Sequence, residues 1–404
     1  MLLQTLYDKV EIHRQKKIIY AKFLQPHTVL STCRAAGGFR SDLDYIYNHQ
    51  SCEPCAHSQR MSPAAYRNPQ TYRKNICQEY ELPDQRCATL GTAANMNNAC
   101  IASRTFRDLT VSAVCTGGVE GNAGRAGDPA SVVEVEDGFE RLDPANAMPG
   151  PGTINTMLFI STPLTEGAMV RTIMTATEAK TAALQELAVN SRYSDSLATG
   201  TGTDQIAVAA CSGSGARLTS AGKHSKLGEL IGQVVSEAIK QTLARQNNMT
   251  PSGQCSAKIH LERFGINRKS MQETICWYLE TDQAELLCNN FPAIERDPVT
   301  VAAVAAMVHL KDKITWGILP ATCWTEVMGS FAAQVACAVS GSYEKLGEYR
   351  NFLAPPSSNT GNRDFLELVC KAIAIGFEDK WRNLDALQEE TCADSKEHMA
   401  VAQD

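Results

Sequence analysis

Alternation of apolar and polar positions opens the chain. Residues 10–23 (VEIHRQKKIIYAKF) predict two short strands around a polar turn, and residues 28–32 (TVLST), rich in β-branched side chains, predict another. The last of these runs into Ala36-Gly37-Gly38, where the backbone can turn tightly or approach a ligand. Residues 93–108 predict a helix, followed by a strand over 109–116 (LTVSAVCT) and a glycine-led strand over 152–161 (GTINTMLFIS). Thr165 is placed to cap a helix from Glu166 to about Ala188. On that helix Met169, Ile173, Ala176, Lys180, Ala183 and Leu187 recur on one face. Lys180 interrupts the apolar stripe, so it must snorkel, pair or titrate abnormally. Glu178 lies on a different side, where a solvated carboxylate is the plain alternative to a catalytic one.

A short apolar strand over 205–210 comes next. An amphipathic helix within 221–243 then turns Leu227, Leu230, Ile231, Val234, Val235 and Ile239 inward. His224 sits before or at its start, where a helix N-terminus would bias an imidazole toward neutrality. Residues 247–254 (NNMTPSGQ) carry a linker signal. Beyond them the pattern is helical over 270–290, 299–319, 323–340 and 363–387, with a break at 355–362 (PPSSNTGN) and a polar, fraying end from Glu389. The expected fold is α/β: a mixed sheet with packed helices, followed by a mainly helical C-terminal extension. The expected divisions are an α/β domain over 1–246, a linker over 247–256, a helical region over 257–388 and a tail over 389–404.

Composition narrows the function. The 404 residues are 44% hydrophobic and 20% charged, enough to bury a sizeable core, and the formal net charge is -6. No basic run suits a phosphate backbone, so a nucleic-acid partner is not expected. No apolar run approaches eighteen residues and no signal peptide is seen, so no membrane partner is expected either. The 15 cysteines are odd in number and irregularly spaced, which fits reduced thiols in a cytoplasmic protein better than a disulfide framework. The composition is compatible with a homo-oligomer.

Two stretches carry candidate chemistry. Cys52 and Cys55, flanked by His49 and His57, have metal-ligand types, but the crowded spacing matches no familiar zinc site, and a plain reduced pair is the simpler account. Residues 117–128 (GGVEGNAGRAGD) hold five glycines within eleven positions, yet lack the endings of the nucleotide-binding loops; Asn122, Arg125 and Asp128 supply polar groups. The densest stretch is 175–210, where Glu178, Lys180, Thr199, Thr201, Thr203 and Asp204 fall within thirty residues. This crowding of reactive groups marks the heart of a candidate active site.

Taken as a set, LSTCRAAGGF (30–39), TGGVEGNAGRAGDP (116–129), GTINTMLFI (152–160), TATEAKTAALQEL (175–187), ATGTGTDQIAVA (198–209) and AGKHSKLGELIG (221–232) resemble, in order, the adenosylcobinamide amidohydrolase family of corrinoid salvage. The resemblance covers roughly 28–245 and implies hydrolysis of the amide that joins the corrin's propionyl side chain to aminopropanol, giving adenosylcobyric acid for cobalamin synthesis. The corrinoid is then the substrate, and no cofactor or metal is required.

Amide hydrolysis needs a nucleophile, an acid for the leaving amine and donors for the oxyanion. In one arrangement Glu178 activates water while Lys180 or backbone amides of the Gly-Thr loop hold the oxyanion. In the other Thr201 attacks and forms an ester; the first is favoured because no base beside the threonine is evident. Asp204 completes the catalytic candidates. Gly118, Asn122, Asn155, Thr199, Thr203 and His224 are the substrate-binding candidates, with the asparagines and glycine-loop backbones facing the corrin's amides. The alternatives are a non-catalytic corrinoid-binding protein and a threonine-nucleophile amidase acting on another amide.

Overall fold

The computed structural model describes residues 1–51, 68–136, 138–142, 150–213, 215–355 and 360–400, with backbone alone over 383–400. It divides into two compact units, Met1–Pro251 and Ser252–Asp404.

The first unit opens with the meander β1 (Leu2–Leu6), β2 (Val10–Gln15) and β3 (Ile18–Phe23), then β4 (His27–Ser31) and β5 (Gly38–Arg40). Next come β6 (Tyr45–Gln50), α1 (Pro69–Glu79) and β7 (Cys87–Thr92), then the hairpin β8 (Cys100–Phe106) and β9 (Leu109–Thr116). A two-residue strand β10 (Ala123–Gly124) and a second hairpin, β11 (Val132–Val135) and β12 (Gly138–Arg141), lead to β13 (Asn155–Ile160). The unit closes with α2 (Glu166–Glu186), β14 (Gly200–Thr201), β15 (Gln205–Cys211) and α3 (Lys226–Asn247).

Two sheets form the scaffold, one of order β1-β2-β3-β6-β7 and one of order β5-β4-β15-β13-β9-β8. Each is antiparallel apart from one parallel pair, β6 with β7 and β13 with β15. Val29, Val114, Met157, Ala207 and Ala209 of the second sheet pack on Ile12, Ile19, Ile46 and Leu90 of the first. The other face of the second sheet buries Leu158, Ile160, Val208 and Ala210 against α2 and α3. α1 covers the outer face of the first sheet by packing Ile76 and Cys77 against Ile18 and Tyr47. Covered on both faces, β13 is buried along its whole length, which is why its last four residues, MLFI, form an unbroken apolar run.

The helix predicted over 93–108 is instead a 3-10 turn, Met96–Asn98, followed by β8. Helix propensity loses here to pairing: Phe106 faces Leu109 across a two-residue turn, with Arg107 in the left-handed region at φ 53°. The helix predicted from Glu166 is present, with the Thr165 side chain accepting from the Ala168 N–H at 3.3 Å.

The second unit is helical: α4 (Pro251–Gln254), which begins one residue before it, then α5 (Ala257–Leu261), α6 (Arg268–Cys276), α7 (Thr281–Glu295), α8 (Pro298–Thr315), α9 (Trp324–Ser340), α10 (Leu346–Leu353) and α11 (Asn362–Ala400). Trp324, Phe291, Phe365 and Phe377 anchor its core. The fold class is therefore mixed α/β with a mainly helical C-terminal region. Among the described residues no helix is long and apolar enough to cross a membrane.

Candidate active site

Strand register brings four backbone segments together at one end of the second sheet. Asn155 at the start of β13 pairs with Thr116 at the end of β9 and with Gln205 at the start of β15. Thr32, just past β4, exchanges hydrogen bonds with Ile206. Loops at these strand ends therefore converge, and β10 ties the glycine-rich loop to the Gly-Thr loop by pairing with β14.

Asp204 is the hub. Its Oδ2 accepts from Lys180 Nζ at 2.5 Å and from the Thr201 N–H at 2.9 Å. Its Oδ1 accepts from Thr201 Oγ1 at 2.5 Å and from the Ile154 N–H at 2.8 Å. The Lys180 and Asp204 side chains are only 16% and 13% exposed, so the ion pair is largely shielded, while Gly202 and Thr203 beside it are open to solvent. Lys180 thus meets its buried position by pairing. A Cβ on Gly200 would fall 2.5 Å from Asp204 Oδ2 and 2.8 Å from Lys180 Nζ, so a side chain there would break the pair.

A second layer of hydroxyls and amides supports the hub. Thr203 Oγ1 donates to Gly152 O at 2.9 Å and lies 2.6 Å from Thr153 Oγ1. Asn122 Nδ2 donates to Gly152 O at 3.1 Å, and its Oδ1 accepts from Tyr193 OH at 2.7 Å, which fixes the amide's orientation. Burial and the nearby Asp128 carboxylate raise the Tyr193 phenol, keeping it a neutral donor. Thr199 Oγ1 accepts from the Ala126 N–H at 2.9 Å. Asp128 accepts from Ser191 Oγ at 2.6 Å and from the Arg125 N–H at 2.7 Å. Partial burial pushes the Asp128 carboxyl up, but these hydrogen bonds outweigh it and hold it below the usual range. Gly121 crosses Gly150 so closely that a Cβ on the former would lie 2.7 Å from the latter's Cα.

Lys180, Thr199, Thr201, Thr203, Asp204 and Asn122 are therefore neighbours. Glu178 is not among them: it faces outward and pairs with Lys223 at 2.7 Å, both side chains well exposed. His224 is exposed in the loop just before Ser225, which caps α3. Gly118 is buried beside the Gln246 stem, its N–H bonded to Thr153 O at 3.1 Å. Asn155 points to the layer between the sheets, donating to Asn48 Oδ1 and Gly91 O at 2.9 Å each, with its own Oδ1 buried and unpartnered. No motif in the sequence marks Tyr193, Thr153 or Ser191. Tyr193, an aromatic residue within a polar loop, was the one available signal.

Cys52, Cys55 and His57 lie outside the described residues. His49 is buried with its Nδ1 2.6 Å from Tyr72 OH. Among the described residues no three His, Cys, Asp or Glu side chains are grouped as a metal ion would need.

Residues 3–251 match the family described as adenosylcobinamide amidohydrolase. An uncharacterized protein from Methanocaldococcus jannaschii is 33% identical over 239 residues, covering 58% of this chain and 89% of that protein. Among solved structures, the PH0078 protein from Pyrococcus horikoshii OT3 aligns over 60% of this chain and 82% of its own at 12% identity, with a TM-score of 0.30.

Proposed function

The chain belongs to the adenosylcobinamide amidohydrolase family, and from that premise we propose that it cleaves the aminopropanol amide of adenosylcobinamide to give adenosylcobyric acid. The observation that carries the reading is the coincidence of the matched segments with one connected group, in which a threonine hydroxyl, a carboxylate and an ammonium meet at glycine-lined strand ends.

Thr201 is the nucleophile in this proposal. A base beside it, not evident from sequence, is supplied by Asp204, which already accepts the hydroxyl hydrogen bond. Oγ1 attacks the amide carbon and its proton passes to Asp204. The C–N bond breaks as the amine takes a proton from the Lys180–Asp204 pair, and water then hydrolyses the ester and restores the hydroxyl. Backbone N–H groups of the Gly202 turn are the proposed oxyanion donors. Glu178 loses its place as the favoured base because its carboxylate is spent on Lys223 at the surface. Asn122 acts as a brace for the loops, since its amide is already bonded within the protein. A reducing cytoplasm is the proposed setting, in keeping with thiols such as Cys115 and Cys337 packed as small buried hydrophobes.

The test is incubation of the purified chain with adenosylcobinamide, followed by mass spectrometry. Adenosylcobyric acid should accumulate. Failure to form it, with common divalent metals supplied, would overturn the reading. Binding that shifts the visible spectrum while the ligand stays intact for hours would make the chain a corrinoid-binding protein instead.

A further inference from the structure

The hairpin β11–β12 leaves the first unit's core entirely. Val132, Val133, Val135, Phe139 and Leu142 are all exposed, and among the described residues the two strands pair only with each other. A lone two-stranded ribbon is marginally stable in water, and clustered exposed apolar side chains mark an interaction surface. Its place is informative. The ribbon begins just after Asp128 and leads back to Gly150, so both arms join the loops of the candidate site. Its far side reaches the end of β4, where the Arg34 guanidinium lies 5.8 Å from the Phe139 ring centre. Thr32, two residues before Arg34, is bonded to Ile206, two residues after Asp204. The ribbon therefore runs from the end of β9 and the start of β13 toward the end of β4, beside the start of β15.

Register divides its side chains. Val133 pairs with Glu140 and Val135 with Gly138, and the Leu142 N–H continues the ladder to Ser131 O at 3.1 Å. Val133, Val135 and Leu142 thus share one face, opposite the face on which Phe139 meets Arg34. The ribbon is also acidic, with Glu134, Glu136 and Glu140 against Arg141. A second copy would bring like charge to like charge on a chain of net charge -6. An alkylated cobalt(III) corrin, by contrast, is a broad apolar disc with net positive charge.

Resting on the proposed function, we propose that this ribbon is the platform for the corrin ring: Val133, Val135 and Leu142 lie against one face of the disc, and Glu140, which pairs with Val133 on that same face, meets its positive charge. The platform holds the ring while the amide side chain reaches Thr201.

Titration of adenosylcobinamide into the full chain, read by corrin absorbance, tests this beside steady-state turnover. The triple variant V133S/V135S/L142S should raise the dissociation constant and KM about tenfold or more, with kcat within about twofold. The variant E140Q, which keeps the apolar side chains of that face, should weaken binding at low salt and flatten its salt dependence. Wild-type affinity in both variants would overturn the platform while leaving the proposed function standing. So would a wild-type dimer that the triple variant dissociates with KM unchanged. A wild-type chain that neither binds nor cleaves adenosylcobinamide would remove both.

Discussion

Each unit buries an ion pair, and the two pairs differ in their surroundings. In the helical unit Arg263 donates to Asp312 at 2.6 Å, with the arginine side chain 3% exposed and its guanidinium 4.5 Å from the Phe264 ring centre. Lys311 beside it lies within 5.8 Å of the ring centres of Phe264, Phe365 and Trp324 and donates to Thr360 O. Those cations are embedded in aromatic packing. The Lys180–Asp204 pair is comparably shielded, yet it sits under a solvent-open glycine turn and holds a threonine hydroxyl by the same carboxylate. A buried ion pair is weak grounds for either stability or function. What separates the two is whether a reactive group and open space accompany the charges.

The largest effect that would test this contrast is expected at Thr201. Thr201→Ala should lower turnover on adenosylcobinamide about a thousandfold while the melting temperature stays close to wild type, and Thr201→Ser should recover part of the rate. Equal turnover in wild type and alanine variant would return the attack to water. In the helical unit the loss should be of stability. Arg263→Met strands the Asp312 carboxylate and should cost roughly 3–5 kcal/mol in chemical denaturation, with turnover per folded molecule unchanged; adding Asp312→Leu should recover most of it. A loss of turnover from Arg263→Met without loss of stability would erase the distinction.

Acid should act on the sheet unit through two histidines. Burial, with Lys9 adding to it against the favourable Gln25 carbonyl, lowers His27 to about 4; burial and Lys17 lower His49 to about 4. His27 is held neutral between the Gln25 carbonyl at 2.7 Å and the Tyr7 hydroxyl at 3.0 Å. Between about 4 and the ordinary 6.5, the unfolded chain binds protons that the folded chain refuses. Stability is therefore full above about pH 6.5 and falls as pH drops toward 4, by up to roughly 3 kcal/mol per histidine. Urea midpoints at pH 7 and pH 5 check this. His27→Gln should reduce the difference, and an unchanged midpoint would contradict it. His260, lowered by burial and Arg263, gives the helical unit a response of the same sign.

Local features of the site were legible in the sequence. The Gly-Thr alternation over 198–204, the Thr165 cap and the stripe that Lys180 interrupts are all read within one or two turns of chain. That Lys180 pairs with Asp204 was not legible, because the partner lies beyond a loop that carries no periodicity. Nor was Tyr193 or Thr153, whose roles exist only once the loops converge. The layering of two sheets depends on pairings such as β4 with β15, which join residues far apart in sequence. The helical unit was readable because its contacts repeat at helical spacing. The run over 93–108 carries a helical composition yet forms β8, because pairing to β9 decides its structure.

The smallest expected effect lies two residues from Lys180 on the same helix. Glu178 and Lys223 are 49% and 65% exposed, so screening leaves their ion pair worth under about 0.5 kcal/mol. Glu178→Gln should therefore barely move the urea midpoint, and turnover should stay within about twofold of wild type. A hundredfold loss of turnover would instead make Glu178 the base that activates water and demote the Thr201–Asp204 contact to loop bracing. Since Lys180→Met strands Asp204 and should reduce both rate and stability, the two α2 variants compared side by side separate the face that serves chemistry from the face that serves only solvent.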